Sequence, residues 1–258
     1  MNGSNKKTKE FFESRNIAFE QFQLEWNERD VNVIRTGNQN SNKMILFIHG
    51  APGSFFDFSE YLVDRKLLSE VQMLAYDRPG FGQSGYGKSL PLIQDQVDVA
   101  LHLIDNIDAD SVVVVGYSYG GPIAGILAAR RSEKISSLVM LAPAASPEAE
   151  PIFWFNRLIN NKIASWILPT YIEMANREKF SHLKDLKNNE YQWANIDVPV
   201  HHFHCTNDWI APFEGNLSFI KSKVNEDLLV QYVWDDDSHF LPNTQLARVR
   251  PILLQLIN

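Results

Sequence analysis

The apolar positions change period several times along the chain, and each change marks an element. From Phe19, polar and apolar residues alternate through FEQFQLEW and again through VNVIRTG, with NERD between them. A period of two puts one face of a hairpin on a core, so a β-hairpin is predicted here. KMILFIHG (43–50) is a short apolar run ending in glycine, VQMLAYDRPG (71–80) is another, and four valines lead into Gly116; ISSLVMLAP (135–143) is a further run. These read as buried strands. Between them, FSEYLVDRKLLSE, LIQDQVDVALHLIDNI (92–107) and residues 119–131 carry apolar residues at helical spacing. Strands that are apolar on both faces and alternate with helices predict a parallel sheet covered on both sides.

The rhythm breaks after residue 143. Through about residue 197 no strand pattern occurs, only helical and aromatic stretches such as PIFWFNRLINNKIASWILPTYIEM. VPVHHFHCTND (198–208) and DLLVQYVWDDD (227–237) then resume the strands, with PFEGNLSFIKSK as a helix between them. The expectation is one α/β domain, with a core of residues 1–143 and 198–258 and a helical cap of residues 144–197. Pro251, in NTQLARVRPILLQLIN, is expected to start the last helix at its first turn.

Composition narrows the partners. The chain has 258 residues and is 45% hydrophobic, enough for a full core. Twenty-four basic residues against 31 acidic ones leave a net charge of −7. That argues against a nucleic-acid or anionic-membrane partner, which needs a clustered basic face. The one dense basic run, Lys6, Lys7 and Lys9, reads as a solvated tail. A single cysteine, Cys205, allows no intrachain disulfide and fits a reducing compartment. The N-terminal stretch carries no signal-peptide pattern, and nothing approaches the ~20 apolar residues of a membrane span. A cytoplasmic protein is expected, with a small-molecule partner. The oligomeric state is not written in the pattern.

The candidate chemistry sits where the valine strand turns into a helix. In GYSYGG, Ser118 is hemmed in by Gly116, Gly120 and Gly121. A sharp strand-to-helix turn strains the residue at its tip and lifts its side chain clear of the sheet, beside helical amides that favour negative charge. Small neighbours are needed to avoid clashes. This is the G-x-S-x-G nucleophile elbow in its required context. A serine hydroxyl needs a base to become a nucleophile. His239 follows one strand and Asp208 follows the one before it, so Ser118, Asp208 and His239 all lie at carboxyl ends of parallel strands, where open sheets build their sites. Asp235, Asp236 and Asp237, and after the sixth strand Glu148 and Glu150, are alternative acids. Two amides are wanted for an oxyanion, and Tyr119 N–H and Ala51 N–H are the candidates. Pro52 cannot donate.

Taken together, HGAPGS, YDRPGFGQS, GYSYGG, TNDWIAP and SHF arrive in one order across 43–143 and 198–258. With them the chain resembles the α/β-hydrolase fold superfamily. The resemblance implies a mostly parallel eight-stranded sheet, a Ser–Asp–His triad, no cofactor and a helical cap after the sixth core strand, where the pattern breaks. Residue by residue it makes Ser118 the nucleophile, His239 the base, Asp208 the acid, and Ala51 and Tyr119 the oxyanion donors. Asp77 and Arg78 hold a turn on this reading, and His49 belongs to a structural loop. Serine at the elbow, rather than aspartate, disfavours the dehalogenase and epoxide-hydrolase branches. HGAPG departs from the HGGPG of proline iminopeptidases, and Ser238 stands where glycine is usual before the histidine.

The reaction expected is hydrolysis of a small apolar or aromatic carboxylic ester through an acyl-enzyme. Aminopeptidase, C–C bond hydrolase, thioesterase and lactonase activities need the same triad, and a low-turnover ligand receptor is a further alternative. Phe55, Trp154, Trp209 and Phe240 are candidate substrate contacts, with Phe153, Phe155, Ile159, Trp166 and Ile167 forming an apolar underside of the cap. HHFHC invites a metal reading, but alternate residues on a strand face opposite ways and no second ligand cluster accompanies it. No metal is expected, and these histidines read as core or edge residues.

Overall fold

The computed structural model describes residues 5–88, 90–131, 133–149 and 169–258. Eight strands form one sheet: β1 (Glu20–Trp26), β2 (Arg29–Gly37), β3 (Lys43–Ile48), β4 (Gln72–Tyr76), β5 (Ser111–Tyr117), β6 (Ile135–Leu141), β7 (Val200–Cys205) and β8 (Leu229–Trp234). Their order across the sheet is β1-β2-β4-β3-β5-β6-β7-β8. β1 and β2 form an antiparallel hairpin whose two turn residues, Asn27 and Glu28, both have positive φ, the twist a two-residue hairpin loop favours. β2 is antiparallel to β4, and every later pairing is parallel. The sheet is therefore the mostly parallel, eight-stranded one that was expected.

The unbroken apolar runs follow from burial on both faces. In β3, Met44, Leu46 and Ile48 pack on one side with the helices Ile93–Asp105, Gly120–Arg130 and Phe213–Lys223, while Ile45 and Phe47 pack on the other. The valines of β5 divide in the same alternation, Val112 and Val114 against Val113 and Val115. The second face is covered by the first helix, Asn5–Glu13, and the last, Leu246–Leu256.

Three local expectations are corrected. The basic run at residues 6–9 is no loose tail: it is the outer face of the helix Asn5–Glu13, with Lys6 and Lys9 beside Glu10 and Glu13. Phe12 on its inner face is fully buried and stacks on Phe19 at 4.5 Å, and that burial holds the helix. The stretch FSEYLVDRKLLSE breaks into Ser59–Leu62 and Arg65–Glu70. Asp64 divides them because its carboxylate accepts from the amides of Lys66 and Leu67, which caps a new helix and ends the old one. Pro251 lies inside the helix Leu246–Leu256 rather than at its start. An interior proline costs about 3 kcal/mol. Burial of Val249, Leu253 and Ile257 on one face of the chain offsets it. The first-turn proline is Pro242, in the short helix Leu241–Thr244.

Between β6 and β7 the described residues hold a long helix, Thr170–Asn189, and a 3-10 stretch, Glu190–Asn195.

Candidate active site

Ser118 has φ of +51°, the left-handed conformation that the strand-to-helix turn demands. Two glycines make room for it. A methyl group on Gly116 would sit 2.4 Å from Gly120 O, and one on Gly120 would sit 2.2 Å from Ile48 O. The elbow is therefore pressed against the end of β3, and nothing larger than hydrogen fits at either position. The turn is tied by Ser118 N donating to Leu141 O and by Gly121 N and Ala144 N donating to Ser118 O.

The structure brings Ser118, His239 and Asp208 together. His239 Nε2 lies 2.9 Å from Ser118 Oγ, and His239 Nδ1 lies 2.7 Å from Asp208 Oδ2. An ionised carboxylate only accepts, so Nδ1 carries the ring proton and Nε2 faces the serine as an acceptor. Asp208 Oδ1 accepts from Ile210 N and Ala211 N, both at 2.9 Å. Burial works to raise the Asp208 pKa, but hydrogen bonds from His204 and His239 outweigh it and hold the carboxyl well below the usual carboxylate range. Two of the alternative acids are engaged elsewhere: Asp236 pairs with Arg248, and Asp237 accepts from Ser238 N and from the Thr244 and Gln245 side chains. Glu150 lies outside the described residues.

The loop after β3 packs on the nucleophile, since a methyl on Gly50 would come within 3.2 Å of Ser118 Cβ. Ala51 follows in that loop, and Tyr119 opens the elbow helix. Trp209 and Phe240 are exposed next to Asp208 and His239. Phe55 is 1% exposed and belongs to the core, so it offers a substrate no open surface. Trp154, with Phe153, Phe155, Ile159, Trp166 and Ile167, falls outside the described residues.

Asp77 and Arg78 do hold the loops. Asp77 accepts from Phe55 N, Gln83 N and Asn32 Nδ2. Arg78 donates to His49 O and Gly50 O, while its own amide donates to His49 Nε2. That leaves the His49 proton on Nδ1, where it donates to Gly50 O at 2.7 Å. Burial and the Arg78 charge keep His49 neutral, well below the ordinary histidine pKa.

Sequence reasoning missed Glu178. From the helix Thr170–Asn189 it meets Arg78 in a two-pronged pair at 3.0 and 3.1 Å, with both side chains wholly buried. One turn further, His182 donates through Nε2 to Ala144 O and stacks on Tyr119 at 4.3 Å. Spacing of four puts both on one helical face, which is the one signal the sequence held.

Asp57 is a second, half-buried carboxyl beside this loop. A methyl on Gly53 would meet Asp57 Oδ2 at 2.5 Å and His49 Nδ1 at 2.8 Å. Burial pushes its pKa from 3.8 up to about 7. Folding thus raises the pKa, so the folded chain binds this proton more tightly than the unfolded chain. Stability from this group falls as pH rises from 3.8 to about 7 and stays low above that. Asp57→Asn, which mimics the protonated acid, should melt about 3 °C or more above wild type at pH 8. The gap should shrink toward pH 5. A gap that thermal melts show to be the same at both values would refute the assignment.

The comparisons with known proteins agree with the fold. Residues 45–255 match the model of the alpha/beta hydrolase family. The chain is 31% identical over 127 residues to "Probable lysophospholipase BODYGUARD 4" of Arabidopsis thaliana, covering 48% of this chain and 30% of that protein. It is 30% identical over 133 residues to lipase LipV of Mycobacterium tuberculosis, covering 52% and 46%. In both cases the match spans less than half of the relative's length. Among solved structures, naproxen esterase (carboxylesterase NP) from Bacillus subtilis superposes with a TM-score of 0.69 over the whole of both chains, at 15% identity. With an apolar, mostly parallel sheet, a serine at a strained elbow and a family match over most of its length, the chain belongs to the alpha/beta hydrolase family.

Proposed function

We propose that the protein is a serine hydrolase that cleaves a small apolar or aromatic carboxylic ester through an acyl-enzyme. The observation that carries this reading is the continuous line from Ser118 Oγ to His239 at 2.9 Å and from His239 to Asp208 at 2.7 Å. Ser118 Oγ attacks the acyl carbon while His239 Nε2 takes its proton. Asp208 holds the imidazole and stabilises its charged form. The developing oxyanion rests on the Ala51 and Tyr119 amides, where buried donors are worth more than in water. The alcohol leaves with the proton from His239, and water repeats the sequence on the acyl-enzyme.

The ester reading is favoured over thioester, amide, lactone or C–C cleavage by the names of the relatives, "Lipase LipV" and "Probable lysophospholipase BODYGUARD 4". The exposed rings of Trp209 and Phe240 at the rim support an apolar substrate. We read residues 144–197 as a cap over this site, because Glu178 and His182 fasten its long helix to Arg78 and Tyr119. No described helix is long and apolar enough to cross a membrane. The acidic balance supports a small-molecule substrate over a nucleic-acid partner, and the single buried thiol suits a cytoplasmic setting.

The test is labelling with a fluorophosphonate, followed by turnover on a panel of small acyl esters. A single adduct on Ser118, absent in Ser118→Ala, with steady ester turnover is the expected result. Failure of the folded wild type to label would overturn the reading. Labelling without turnover would make the protein a ligand receptor on the same scaffold.

A further inference from the structure

The histidines of HHFHC have a place in the site that the triad alone does not explain. His202 and His204 point to one face of β7, as their spacing of two requires, and both are fully buried. His204 Nε2 lies 3.1 Å from Asp208 Oδ2 and 2.8 Å from Ala211 O. Both partners only accept, so Nε2 carries a proton whatever the charge of the ring. His204 Nδ1 lies 3.0 Å from His202 Nε2. Burial and His204 itself hold His202 well below the ordinary histidine pKa, so it is neutral. Its Nδ1 is buried without a hydrogen-bond partner. A bare nitrogen there is the cheaper choice than an orphaned N–H, so His202 donates from Nε2 and His204 accepts on Nδ1.

The direction of every bond is thereby set. His202 donates to His204, His204 to Asp208, and His239 to the same Asp208 oxygen. With two amides on Oδ1 and two imidazoles on Oδ2, all four lone-pair sites of the carboxylate are filled. We propose that His204 is a positioning residue for the reaction assigned above: it shares Asp208 Oδ2 with His239, locks the carboxylate plane and moderates how strongly Asp208 draws on the base. This rests on the proposed serine-hydrolase reading. The titratable groups around it are His202 on its own strand, Asp208 and Cys205 at the strand end, His239 after β8 and Tyr117 on β5, the last two within the reach of Asp208. The ring of Phe213 packs edge-on from the following helix. Among the described residues no group of three or more His, Cys, Asp or Glu side chains could hold a metal.

Two variants separate this role from mere packing. His204→Phe keeps the ring volume and removes the donor, whereas His204→Gln keeps an N–H. The readouts are kcat and KM for a small acyl ester and the rate of fluorophosphonate labelling of Ser118, each across pH 5 to 9. The expected result for His204→Phe is about a tenfold fall in kcat at unchanged KM, as a loosened base gives. The acid limb of its profile should also move to higher pH, because Oδ2 is no longer shared. His204→Gln should recover kcat to within about threefold of wild type. A folded His204→Phe with wild-type kcat and profile overturns the positioning role and leaves the hydrolase reading intact. A wild type that neither labels nor turns over overturns both. Should His204→Phe fail to fold, long-range proton–nitrogen spectra of the wild type decide. A proton on His204 Nε2 together with rescue by glutamine supports the role, and a proton on Nδ1 alone ends it.

Discussion

His239→Ala is expected to lower ester turnover by about five orders of magnitude while leaving KM within a few-fold. The geometry explains both parts. His239 is the one described side chain within hydrogen-bond distance of Ser118 Oγ, and without a base the hydroxyl stays protonated and unreactive at neutral pH. In the proposed mechanism His239 moves a proton and does not hold the acyl group, so ground-state affinity is expected to survive. Steady-state kinetics with a small acyl ester, alongside a thermal melt to show that the variant folds, checks the expectation. A loss of only tenfold would place the base elsewhere. Asp208→Asn is the companion case. It keeps the shape, but it presents an amide to His239 and favours the wrong tautomer, which costs about four orders of magnitude where such a carboxylate orients the base.

The largest stability effect is expected at Glu178. Glu178→Ala leaves the Arg78 guanidinium buried with no counter-charge, and breaking a buried pair from one side costs about 3–5 kcal/mol. For a chain of this size that is a fall in Tm of roughly 10 °C. The effect should reach the site as well. Arg78 also holds the carbonyls of His49 and Gly50, and the loop they belong to packs on Ser118. An unanchored guanidinium is expected to loosen that loop and lower kcat. Denaturant melts and turnover at a temperature well below both transitions separate the two consequences. A loss under about 1 kcal/mol, typical of a solvated pair, would mean that the helix Thr170–Asn189 does not seat on Arg78 in solution.

The fold was legible because its signals are local. Period-two alternation marked the hairpin, unbroken valine and leucine runs marked strands covered on both faces, and glycines around Ser118 marked a turn too tight for side chains. Each of these reads from a window of a dozen residues, over which backbone geometry repeats. Where a window misled, a neighbour outside it decided: Phe19 captures Phe12 and makes a helix of the basic run, and a buried face carries Pro251 through a helix interior. The candidate triad was readable one step further, as three residues at the ends of three strands, because parallel strands deliver their carboxyl ends to one edge.

Pairings across the fold lie beyond that reach. Ser118 and His239 are 121 positions apart, and Arg78 and Glu178 are 100 apart. No periodicity links such residues, so the sequence could favour Asp208 over the aspartates at 235–237 by chain order and resemblance alone, and only the packed chain could single out Glu178 among 31 acidic residues. The same holds for HHFHC. Its spacing of two could say that His202 and His204 share a face, but not that Asp208 would curl back from the end of β7 to meet His204. That contact is set by the Cys205–Asp208 turn and by the amides of Ile210 and Ala211. Burial then decides the rest, because a carboxylate removed from water must find all its donors inside the protein.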